Sequence, residues 1–151
     1  MKLLTKKFLS NYDLKNLSSA IADVEKNTSG EIRIVVRHRR RKKEKNFSIY
    51  ELALKEFYSL GMQNTRDRTG VLIFLLVSER KFQILADQGI NEKVEQGTWD
   101  KIAEKMIHFF KENKFNEGLR EAIYAVGNEL AKHFPLKHGD INELPNDVIE
   151  N

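Results

Sequence analysis

The chain has 151 residues, 40% of them hydrophobic, with two prolines and no cysteine, the proportions of one globular domain rather than a disordered or fibrous chain. Without cysteine there is no thiolate zinc site, iron–sulfur cluster, cysteine nucleophile or disulfide scaffold. The net charge of +4 is unevenly spread: Arg37 to Lys45 (RHRRRKKEK) carries +6 and leaves the rest of the chain at −2, so the basic character is local.

Met1 to Ser10 interrupts its apolar residues every two or three positions and lacks the apolar stretch of about 7 to 15 residues that a secretory signal needs. Val71 to Val77, the most apolar segment, is too short to span a bilayer as a helix. The expectation is a cytoplasmic protein. Leu14, Leu17, Ile21 and Val24 recur at helical spacing, with Ser10 as N-cap, Asp13 three residues on, and Thr28-Ser29-Gly30 as the stop. Glu31 to Arg37 (EIRIVVR) is β-branched with alternating polar positions and predicts a strand that runs into the basic loop.

Ser48 caps a second helix carrying Ile49, Leu52, Ala53, Phe57 and Leu60, which Gly61 ends. Gly70 to Val77 is a continuous apolar run, the pattern of a strand covered on both faces. Ser78-Glu79 turns the chain into Lys81 to Ala86, a third strand with one face less buried. Two helices follow, with Trp99, Ile102, Met106 and Phe109 on one stripe and Leu119, Ala122, Ile123, Val126 and Leu130 on the other, closed by Pro135. Trp99, Phe109 and Phe110 are read as helix core. The division is one α/β domain over 1–135 and a loosely ordered acidic tail over 136–151, carrying Asp140, Glu143, Asp147 and Glu150.

A strand–helix–strand unit of this length is normally a right-handed crossover between parallel strands, so the strands opening at Glu31 and Gly70 begin at one edge of the sheet. The tight turn at Ser78-Glu79 returns the end of the third strand to that edge. Glu31, Asp67 and Asp87 therefore converge. Gathered carboxylates repel, and protonation, Arg or Lys partners, or a bound cation must offset the repulsion. An oxygen-only donor set, which Thr65, Thr69 and Gln88 extend, favours calcium or magnesium over zinc or copper. Against this, each acid taken singly is an ordinary turn or strand-start residue.

Arg66 and Arg68 flank Asp67, and two guanidinium forks beside a cation suit a phosphate oxyanion; metal plus arginines would permit phosphate ester hydrolysis with a metal-activated water. His38, His108, His133 and His138 form no metal motif, and neither a phosphate-cradling glycine loop nor a serine nucleophile elbow is present. The basic run has no interleaved aromatics for base stacking, which disfavours nucleic acid and predicts a solvated, mobile loop.

In this order the chain resembles the TPM domain family, named for a thylakoid lumen protein, a photosystem II repair factor and a receptor modulator. The resemblance lies in Thr28-Ser-Gly-Glu-Ile-Arg-Ile-Val-Val36, Leu60-Gly61-Met62, Asp67-Arg-Thr-Gly-Val-Leu-Ile-Phe-Leu75 and Arg80-Lys-Phe-Gln-Ile-Leu-Ala-Asp-Gln-Gly-Ile90, with the spacing from Trp99 through Phe115, Gly118 and Leu119. It implies a three-layer α/β/α sandwich with a small mixed sheet of three to four strands, an acidic surface cleft, divalent cation binding and an acid phosphatase activity. Glu31, Asp67 and Asp87 are the positions matched to that cleft. The rival expectation is a non-catalytic interaction module that holds a protein, an anionic membrane surface or nucleic acid through the cleft or the basic loop.

Overall fold

Two serines start the first two long helices as the sequence predicts. Ser10 Oγ accepts from the Asp13 amide at 3.0 Å and Asp13 Oδ2 accepts from the Ser10 amide at 3.0 Å, opening α1 (Asn11–Glu25). Ser48 and Glu51 make the same reciprocal pair at α2 (Ile49–Ser59), and Gly61 leaves it in the left-handed conformation (φ 70°) that a side chain would resist. The computed structural model describes residues 8–136 and 148–151.

Strands β1 (Glu31–Arg37), β2 (Gly70–Leu76), β3 (Lys81–Ala86) and β4 (Ile149–Glu150) form one mixed sheet in the order β3-β2-β1-β4. The crossover through α2 makes β1 and β2 parallel, with Glu31 opposite Gly70 and Arg37 opposite Leu76. The turn at Val77–Glu79 makes β3 antiparallel, with Val71 opposite Ala86. Side chains alternate across the pleat, so Ile32, Ile34, Val36, Val71 and Ile73 pack with α1, α4 (Thr98–Lys111) and α5 (Phe115–His133) on one face. Val35, Leu72, Phe74 and Leu76 pack with Leu52, Ala53 and Phe57 of α2 on the other. The result is the expected three-layer α/β/α sandwich. No helix among the described residues is long and apolar enough to cross a membrane.

In detail the structure differs from these expectations. The tail is not loose at its end: Ile149 and Glu150 pair with Val35 and Val36, and Glu150 accepts from the Phe8 and Leu9 amides at 3.1 and 3.2 Å. Asp140, Glu143 and Asp147 lie outside the described residues. Thr28-Ser29-Gly30 does not cap α1, which ends at Glu25; Thr28 and Ser29 instead bind the Phe134 carbonyl at the end of α5. A one-turn helix, α3 (Gln88–Asn91), follows β3, nucleated by Asp87 as N-cap. Trp99 and Phe110 are partly buried and pack against the core that holds Ile102 and Met106, and Phe109 is partly buried as well.

Candidate acidic edge and basic loop

Glu31, Asp67 and Asp87 stand on neighbouring backbone at one end of the sheet. The Glu31 amide donates to the Thr69 carbonyl at 3.3 Å, and the Asp87 amide donates to the Gly70 carbonyl at 2.8 Å. Thr65 Oγ1 accepts from the Thr69 amide at 3.0 Å and closes the loop that carries Arg66, Asp67 and Arg68. That loop lies directly on the turn after β3: a Cβ built on Gly89 would stand 1.9 Å from the Asp67 carbonyl oxygen and 2.6 Å from that of Arg68. Only glycine admits so close a backbone approach. The crossover topology and this contact together bring the three positions to one place.

The side chains meet the gathered charge in two ways. Arg68 takes Asp87, with Nε 2.8 Å from Oδ2 and Nη2 3.0 Å from Oδ1, a bidentate pair with an acid that is 7% exposed. Asp87 Oδ1 also accepts from the Gln88 amide at 2.8 Å. Arg66 Nε lies 3.4 Å from Asp67 Oδ2 in a pair open to solvent. Glu31 is buried, and its neighbour is an acid that the sequence did not flag: Glu25, the last residue of α1. Burial and then the Glu31 charge push the Glu25 carboxyl up to about 9, against the lowering effect of the Ile32 amide, which donates to Glu25 Oε2 at 2.8 Å. The Glu25 carboxyl is thereby held in its protonated form at neutral pH.

Glu25 had one signal in the sequence. A glutamate at a helix C-terminus opposes the helix dipole, and the last turn of α1 has no basic residue to compensate. The oxygen donors suit a hard cation, but Arg68 stands where a cation would neutralise Asp87. Among the described residues, no three His, Cys, Asp or Glu side chains are arranged to hold a metal ion.

The basic loop differs from the expected mobile segment. Glu44 is fully buried and receives both arms of Arg37, with Nη1 at 3.1 Å from Oε2. It also accepts from the Arg41 amide at 2.9 Å and lies 3.3 Å from Lys55 Nζ. Arg37 first and foremost holds the Glu44 carboxyl down to about 2. Arg40 reaches across to Glu79 (Nη2 to Oε1, 3.1 Å) and donates to the carbonyls of Glu44 and Phe47. The single acid in the run is thus its anchor, and a short 3₁₀ turn (Lys42–Glu44) forms over it. Arg39, Arg41, Lys42, Lys43 and Lys45 remain exposed. His38 Nε2 lies 2.7 Å from Glu150 Oε2, joining this loop to β4.

The model of the TPM domain matches residues 5–129, most of the chain. This protein belongs to the TPM domain family. The BA42 protein of the psychrophilic bacterium Bizionia argentinensis, whose structure was solved by NMR, is similar at 36% identity and a TM-score of 0.87, covering 98% of this chain and 99% of its own. Two other solved structures are similar in fold. The N-terminal domain of a protein from P. gingivalis has 21% identity and a TM-score of 0.68, over 87% of this chain and 83% of its own. That of the cg2496 protein from Corynebacterium glutamicum has 14% identity and a TM-score of 0.61, over 89% and 84%. No curated protein matches this chain.

Proposed function

We propose that this TPM domain binds a divalent cation, calcium or magnesium, at the edge formed by Glu31, Asp67 and Asp87, in exchange with the Arg68 guanidinium. The observation that carries the reading is the clamp between the Asp67–Arg68 carbonyls and Gly89, which holds two carboxylate-bearing segments against each other beside the start of β1. Acids kept together at an electrostatic cost, with an arginine meeting part of the charge, are the condition under which a hard cation competes well. Hydrolysis of a phosphate ester requires more. Release from Asp87 would leave Arg68, with Arg66 two residues away, free to grip phosphate oxygens.

A calcium titration followed by amide chemical shifts tests the binding. Saturable shifts at Glu31, Thr65 to Thr69 and Asp87 to Gly89 that vanish in Asp67→Ala and Asp87→Ala support it; no shift in the unaltered chain, or the same shifts in both variants, rules it out. A phosphoester panel with calcium, magnesium or manganese tests catalysis separately.

A second reading rests on the exposed cations of the basic loop. Arg39, Arg41, Lys42, Lys43 and Lys45 sit on a framework held by the buried Arg37–Glu44 pair, beside a cleft of about 860 Å³ shared with Val148 and Glu150. A positive surface on a rigid base suits a polyanionic partner without chemistry. Heparin binding that survives Asp87→Ala and disappears when Arg39, Arg41, Lys42 and Lys43 are neutralised would favour this reading over the cation site.

A further inference from the structure

The end of the sheet opposite the acidic edge carries a second feature, unconnected with cation binding. Where β2 ends and β3 begins, a cleft of about 790 Å³ opens between that turn and the junction of α4 with α5. This size is within the range of small-molecule sites, and the carboxyl ends of parallel strands are where open α/β sheets hold ligands.

Its wall is a row of phenylalanines from four parts of the chain. Phe8 precedes α1 and meets Phe115 at the start of α5, with ring centroids 4.5 Å apart and planes inclined at 58°. Phe115 meets Phe110 near the end of α4 at 5.3 Å, and Phe110 meets Phe82 of β3 edge-on at 5.8 Å. All four are only partly buried, and Ile107 beside them is 41% exposed. Apolar surface left open in a concave site is the part of a protein that gains most from covering.

The mouth is cationic. Arg80, Lys81 and Lys111 line it, each exposed, and no acidic residue shares the lining. Lys81 has Glu79 at 3.8 Å, whereas Arg80 and Lys111 make no ion pair among the described residues. Arg80 is held at φ 52°, a left-handed backbone that closes the turn between β2 and β3. An apolar wall with positive charge at its rim complements a molecule with an apolar body and an anionic end, and it repels one with a cationic end.

We propose that this cleft binds a small amphipathic organic carboxylate, its apolar body against Phe82, Phe110 and Phe115 and its carboxylate at Arg80 and Lys111. The proposal is independent of the cation site.

Decanoate, decanol and decylamine, matched in chain length and differing in charge, are the probes, followed by amide chemical shifts on the full chain. The expected result is saturable decanoate shifts at Arg80 to Phe82 and Phe110 to Phe115, weaker shifts with decanol and none with decylamine. The double variant Arg80→Asn, Lys111→Gln, in which asparagine tolerates the left-handed backbone, should weaken decanoate by about five-fold or more, the scale of lost charge-assisted hydrogen bonds. It should leave decanol unchanged, which also shows that the cleft is still folded. Equal binding of decylamine, shifts centred elsewhere, no saturation, or a double variant that binds decanoate as tightly as the parent would each overturn the assignment.

Discussion

Arg68 holds Asp87 through both carboxylate oxygens, at 2.8 and 3.0 Å, from a left-handed backbone conformation at φ 56°. That conformation costs a non-glycine residue of order 1 kcal/mol, so the pair is maintained against local strain. A charge that the sequence assigned to a cation is therefore met by the residue next to Asp67.

If a cation exchanges with this guanidinium, removing it should help the cation. Arg68→Gln is expected to tighten calcium binding by roughly ten-fold, about 1.4 kcal/mol, and Asp87→Asn to weaken it by at least as much. Isothermal titration of the three chains measures this, and an unchanged affinity in Arg68→Gln would show that arginine and metal do not compete.

Gly89→Ala would place a methyl group within 1.9 Å of the Asp67 carbonyl oxygen, and backbone rather than a flexible side chain would have to move. A loss of about 1–3 kcal/mol in urea unfolding is expected, with amide shifts concentrated at Asp67 to Thr69. A variant as stable as the parent would mean that the two segments are not clamped.

Glu44→Gln leaves the buried Arg37 with Glu56, 3.5 Å from its Nη1, as the remaining counter-charge and should cost about 1–3 kcal/mol in urea unfolding. The pair also sets an acid limit. Glu44 ionises at about 2 when folded and at about 4.5 when unfolded, so its contribution is complete above pH 4.5 and disappears as the pH falls to about 2. Urea midpoints across that range should fall more steeply in the parent than in Glu44→Gln.

Glu25 behaves in the opposite sense. It stays protonated in the folded chain up to about pH 9 but ionises near 4.5 when unfolded. The folded state binds the extra proton between these values, so this contribution is complete below 4.5 and is lost as the pH rises to about 9. Glu25→Gln, which stays neutral, should flatten the decline in urea midpoint between pH 5 and pH 9. A parent and variant with parallel pH profiles would contradict the raised Glu25 carboxyl.

Glu150 accepts from the amides of Phe8 and Leu9 and pairs with His38, so Glu150→Ala should cost about 1–3 kcal/mol. Hydrogen exchange should report the loss at Phe8 and Leu9 first, with β2 amides unaffected.

The elements of this protein follow from local chemistry that a sequence displays directly. Ser10 with Asp13 and Ser48 with Glu51 satisfy helix-end amides within three residues, Gly61 supplies a left-handed stop, and Gly70 to Leu76 is apolar because both its faces are covered. Strand direction also follows from connection length, and this sufficed to bring Glu31, Asp67 and Asp87 to one edge. Which atom neutralises which was decided only by packing. Arg68 meets Asp87 because the Gly89 contact fixes that loop; Glu25 meets Glu31 because α1 ends beside β1. Likewise, Glu44 turned a basic run into a framed surface, and Glu150 drew residues 148–151 into the sheet from more than a hundred positions away. Partners so distant in sequence leave no periodicity, since burial pairs charges by proximity in space and by the cost of leaving any one of them alone.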